Sequence, residues 1–108
     1  MATQPQVQGY ISGHAVTNIF YILRRQVGGT TPRELLSRLL QHLQVASVTD
    51  AVIRTALHSS ITDFEDAVTS EAANAAGVEV IVTRNTPDFA AAAIPAVLPE
   101  EFLLMPLE

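Results

Sequence analysis

Apolar positions recur at helical spacing through the first half of the chain and gather into a β-branched run near its end. Gln8 to Ser12 reads as a short strand, and Ser12 is placed to cap a helix that starts near Gly13 or His14 and runs to about Gln26. Val16, Ile19, Phe20 and Leu23 form the core face of that helix, widened by Tyr21 and Ile22, and Arg24 and Arg25 complement the dipole in its last turn. Gly28 and Gly29 break the pattern. Thr31-Pro32-Arg33-Glu34 restarts it with a cap, a proline at the first helical position and a carboxylate at the third. Leu35, Leu36, Leu39, Leu40 and Leu43 then mark a second amphipathic helix. A short strand is predicted at Gln44 to Val48, and a third helix capped by Thr49 or Asp50 runs through about His58 on Val52, Ile53, Ala56 and Leu57.

The stretch from Ile61 to Asp88 organises the rest. Thr62 is the expected cap of an Ala-rich helix, Glu65 takes the capping-box position, and Gly77 ends the helix. Val78 to Thr83 follows as a nearly uninterrupted β-branched strand, the pattern of a strand covered on both faces. Thr86 to Phe89 predicts one helical turn. Ala96 to Leu98, flanked by Pro95 and Pro99, predicts an edge strand, and Pro99 to Phe102 a last turn that packs Phe102. Strands alternating with helices imply an α/β fold with a parallel sheet. The helix before a parallel strand runs the opposite way, so Asp63 and Asp66 should lie near Asn85 and Asp88. That edge, beyond the carboxyl ends of the strands, is where ligands usually bind in open sheets.

Composition narrows the reading. At 108 residues there is room for one domain, expected over residues 8–108 behind a disordered lead at 1–7. A hydrophobic fraction of 48% and a mean hydropathy of +0.27 favour a buried sheet over disorder. The net charge of −5 excludes a broad basic surface for phosphate backbones while leaving room for a local patch. Absent cysteines exclude disulfides and cysteine-based zinc sites, and no signal peptide or membrane-length apolar run is present. The expectation is a soluble, cytoplasmic protein without a membrane partner.

The order DFEDA, Ala-rich helix, Gly77, a hydrophobic strand ending in TRN, then DF resembles the C-terminal half of a PIN domain of the VapC-like kind. Gly9 to Arg25 (GYISGHAVTNIFYILRR) is similar to that family's second strand and following helix, and Ile94 to Leu103 to its closing segment. The resemblance implies a three-layer sandwich, a short parallel sheet with helices on both faces. Its first strand is central, between those matching Gln8–Ser12 and Val78–Thr83. It also implies a metal-dependent endoribonuclease of toxin–antitoxin systems, with Mg²⁺ or Mn²⁺ held by acidic residues from separate elements. The family's opening strand ends in an aspartate and lies well upstream of the segment matching GYIS. Only eight residues precede Gly9, so this chain is expected to lack both. Two sheet halves with open edges would result. The halves can close on each other, a second copy can supply the pairing, or another polypeptide can; a homodimer or larger assembly is the expectation.

Asp63 and Asp66 are the candidate catalytic residues. They share a helix face with the spacing for one cation, and Asn85 and Asp88 are the further candidate ligands. The simpler role for the first-turn acids is to complement the positive helix end. Asn18, Arg84, Ser12 and His14 are placed on the substrate side of the edge. The resemblance puts Asn18 and Asn85 where the family often carries carboxylates, and an amide brings no charge to hold a metal. His42 and His58 have no metal spacing between them. Two function classes therefore stand: a degenerate or incomplete endoribonuclease acting on RNA, or a non-catalytic module for oligomerisation or an antitoxin-like protein.

Overall fold

The computed structural model describes residues 7–29 and 31–105. Most of the expected lead lies outside them. The chain alternates short strands and helices: β1 (Gly9–Ser12), α1 (Gly13–Val27), α2 (Thr31–Leu39), β2 (Leu43–Ala46), α3 (Asp50–Ala56) and α4 (Phe64–Ala75). Then come β3 (Ile81–Val82), a 3₁₀ turn (Thr86–Phe89), β4 (Ala96–Val97) and α5 (Pro99–Leu103). No helix among the described residues is long and apolar enough to cross a membrane.

The strands form two parallel pairs. β1 pairs with β2, Gly9 opposite Leu43 and Ser12 opposite Ala46, and β3 pairs with β4, Ile81 opposite Ala96. This is a mixed α/β architecture with short parallel sheets, as the alternation of elements predicts. The β-branched run from Val78 is regular over only two residues instead of six. Its ladder bonds, Ile81 N–H to the Pro95 carbonyl and Thr83 N–H to that of Val97, are both 2.9 Å and both face β4. Val82, between them, directs its own N–H and C=O to the opposite edge, and no strand among the described residues pairs there. Its side chain is exposed.

One core cluster serves both pairs. Ala46 of β2, Val52 and Ala56 of α3, Ala67, Val68, Ala72 and Ala73 of α4, Ile81 of β3, Phe89 and Ile94 all belong to it. The small side chains of α4 let it lie close against α3 and the β1–β2 pair, which sets the position of its N-terminus. Alanine also removes little apolar surface from water, so the cluster stabilises the chain less than its membership suggests. The radius of gyration is 15.2 Å, against about 13 Å for a compact domain of this length. No residue of α1 is fully buried. Its apolar face meets α2 and is otherwise half-covered.

Several boundaries differ from the sequence-based expectation. Leu43 opens β2 and does not extend α2, because the chain turns at Leu40 to His42 with the His42 N–H bonded to the Leu39 carbonyl. β2 accordingly begins one residue early and ends at Ala46. α3 stops at Ala56. Ser12 occupies the N-cap of α1 in extended geometry but makes no side-chain capping bond, since its hydroxyl is engaged by His14. α4 is capped by Asp63, not Thr62. Gly77, at φ 75°, ends α4 in the left-handed region that glycine tolerates best.

Candidate functional site

The start of α4 and the Thr86–Phe89 turn meet across a pocket. Ser60, Ile61, Thr62, Asp63 and Asp66 line one side, and Pro87, Asp88, Ala90 and Ala91 the other. Its geometry follows from the α4 cap. Asp63 is extended at φ −83°, ψ 126°, and its Oδ1 accepts the backbone N–H of Asp66 at 3.0 Å. This satisfies one of the free amides of the first turn. Asp66 sits one turn further in, half-buried, with its carboxyl free to face the pocket.

Partial burial holds the Asp66 carboxyl above its ordinary value of 3.8, and the negative charges of Asp63, Asp88 and Glu65 push it further in the same direction. Three other carboxylates are thus near enough to be felt. No arginine offsets them there. Arg84 Nη1 pairs with Glu100 Oε1 at 2.6 Å, and Arg54 pairs with Asp50 at 2.9 Å within α3. Arg84 is thereby partly engaged with Glu100, and both side chains stay exposed.

The acids do not make a coordination sphere. Among the described residues no group of three or more His, Cys, Asp or Glu side chains is placed to hold a metal ion. Asp63 caps its own helix through Oδ1 and also lines the pocket with Asp66 and Asp88. Mg²⁺ takes near-octahedral oxygen ligands at short range and keeps several waters, so these acids supply at most part of its shell. The pocket attracts cations without being built to coordinate one.

A second constellation joins the two halves of the edge. Ser12 Oγ lies 3.2 Å from His14 Nδ1, and His14 Nε2 lies 3.3 Å from Thr69 Oγ1 on α4. In a neutral ring one nitrogen donates a hydrogen bond and the other accepts one, so one hydroxyl donates to the ring and the other accepts from it. His14 is therefore a tie between the end of β1 and the middle of α4. Thr69 stands one turn beyond Asp66 on the same helix face. Sequence reasoning missed Thr69, although its i+3 spacing from Asp66 was the available signal.

The remaining candidates lie apart. Asn18 is exposed on α1, one turn past His14, and does not line the acidic pocket. Asn85 precedes the 3₁₀ turn, where its N–H donates to Thr83 Oγ1 and its carbonyl accepts from Asp88, both at 3.0 Å; its side chain is outside the pocket lining. The structure thus gathers Asp63, Asp66 and Asp88, ties Ser12 to His14, and leaves Asn18, Asn85 and Arg84 outside both groups.

A family model for the PIN domain matches residues 1–87, which include β1 through β3 and the N-caps of α3 and α4, Thr49 and Asp63. No curated protein matches the chain, and no solved structure does.

Proposed function

Because the chain belongs to the PIN domain family, a family of nuclease-like domains, we propose that it is a VapC-like relative of the metal-dependent endoribonuclease toxins with an incomplete catalytic centre. The observation that carries this reading is that Asp63, Asp66 and Asp88 line the pocket, yet among the described residues no group of three or more such side chains is placed to hold a metal ion. Carboxylates so placed hold Mg²⁺ or Mn²⁺ weakly, and without a cation the pocket repels an RNA phosphate. Ribonuclease activity of this chain alone is therefore low or absent. The role is a cytoplasmic one, in a toxin–antitoxin setting.

The two parallel pairs are, in this reading, the flanks of one three-layer PIN-like sheet, separated where the family's opening strand would run. Shared membership of Ala46 and Ile81 in one core cluster supports that placement. A second reading, a non-catalytic module that self-associates or binds an antitoxin-like protein, draws on the half-covered apolar face of α1.

Calorimetric titration with Mn²⁺, with Asp66→Ala as control, separates the two. Weak saturable binding that disappears in the variant supports a residual metal site and calls for RNA-cleavage assays with Mg²⁺ and Mn²⁺. A folded protein that takes up no Mn²⁺ excludes the nuclease relation as a working activity and leaves the module.

A further inference from the structure

We propose that the open edge of β3 is a docking site for an extended segment of a separate polypeptide, which adds to the β3–β4 pair as a further strand. The proposal rests on the β3 ladder and holds whichever reading of the acidic pocket stands. Ile81 and Thr83 turn their N–H groups to the carbonyls of Pro95 and Val97. In a trans peptide the C=O points opposite to the following N–H, so the carbonyls of Val80 and Val82 face the outer edge. With the Val82 N–H between them they make an acceptor, donor, acceptor row, and no strand among the described residues meets it.

The two outer edges of this pair are built differently. On β4, Pro95 and Pro99 bracket the strand, and the outward Leu98 N–H is taken by Glu101 Oε1 at 2.8 Å. Proline and a side chain over the backbone are means by which a sheet is closed to further strands. From Val78 to Thr86 there is no proline, and Val82 is 45% exposed. The β-branched run is also longer than its ladder: six residues have strand character and only Ile81–Val82 is regular. A second neighbour would extend it.

Peptide groups select the occupant. A helix has spent its own backbone bonds internally, whereas an extended segment presents N–H and C=O in alternation. A second copy is a poorer fit. Its β3 is hemmed between the end of α4 at Gly77 and the turn that starts at Thr86, so β3 against β3 shares only a short run. A free segment runs past both ends. Its side chains beside Ile81 face the core cluster and those beside Val82 lie on the exposed side, so apolar, β-branched residues suit both of its faces.

The test is fluorescence anisotropy of a labelled peptide, Lys-Val-Thr-Val-Ile-Val-Lys, titrated with the full chain. Saturable binding is expected. The same peptide N-methylated at two successive central residues keeps its charge and side chains but loses an N–H towards β3 in either register, and should bind about tenfold more weakly or worse. On the protein, Val82→Pro removes the outward N–H and spares both bonds to the β4 side, so the circular dichroism should hold while peptide affinity falls by about tenfold. Val82→Thr keeps the peptide groups and should stay within about twofold of wild type. If Val82→Pro does not fold, the N-methylated peptide decides. Absence of binding overturns the proposal, and so does equal binding of the two peptides or by a folded Val82→Pro chain. A wild type of twice the 11.6 kDa mass that Val82→Pro turns monomeric also overturns it, since a second copy would then hold the edge.

Discussion

The carboxylate of Asp63 accepts the backbone N–H of Asp66 at 3.0 Å, so one acid of a pair with ligand spacing also caps the helix that carries the other. Removing that cap with Asp63→Ala should cost about 1 kcal/mol of stability, whereas Asp63→Asn, which keeps the accepting oxygen, should cost a few tenths at most. Urea denaturation of the two variants checks this. Equal losses would mean that the charge of Asp63, and not its hydrogen bond, supports α4.

Asp66 predicts a pH dependence of definite sign. Its folded carboxyl binds a proton more readily than the unfolded one, through burial and the neighbouring Asp63, Asp88 and Glu65 charges. Between the unfolded value of 3.8 and the higher folded value, the native state holds more protons, so stability falls as pH rises through that window. The penalty is complete above the folded value and absent below the unfolded one. Asp66→Asn should therefore be more stable than wild type at neutral pH, with the difference vanishing towards pH 3.8. Thermal melts over an acid-to-neutral series would show the two curves converging on the acid side; parallel curves would contradict it.

The His14–Thr69 contact joins residues 55 positions apart. Replacing Thr69 by Val keeps the shape and removes the hydroxyl, and should cost about 0.5–1.5 kcal/mol. The same change made in a His14→Ala background should cost less, because the partner is already gone. A double-mutant cycle in denaturant measures the coupling directly, and additive losses would show that the tie contributes nothing.

Gly77 ends α4 at φ 75° with open space around the position a Cβ would take. Gly77→Ala should therefore lose about 1 kcal/mol through backbone conformation alone. Because nothing is struck, the loss should appear in the denaturation midpoint without a change in its slope. An unchanged midpoint would show that the turn relaxes at no cost.

Local signals in the sequence were legible where structure is local. The α1 boundaries, the Thr49 cap and the single turn at Thr86–Phe89 all rest on residues close in sequence, and they stand nearly where their patterns place them. Val78 to Thr83 shows the limit. Its β-branched residues declare a strand, but how much becomes ladder depends on the distant Pro95 to Val97 segment. Leu43 fits the leucine period of α2 as well as the alternation of β2, and only pairing with Gly9 decides. Thr62 and Asp63 are both good caps side by side. At the site, the acids were visible as residue types, while the capping bond to Asp63 and the link from His14 to Thr69 needed the folded geometry.

The open edge of β3 carries a consequence for how this protein tolerates change. Whatever segment pairs beside Val82 meets peptide groups, which every amino acid except proline supplies in the same form. Selection there acts on direction, length and the absence of proline, and hardly on side-chain identity. A partner strand is then free to drift in sequence while the pairing persists, so its ancestry would fade from alignments long before its structural role did.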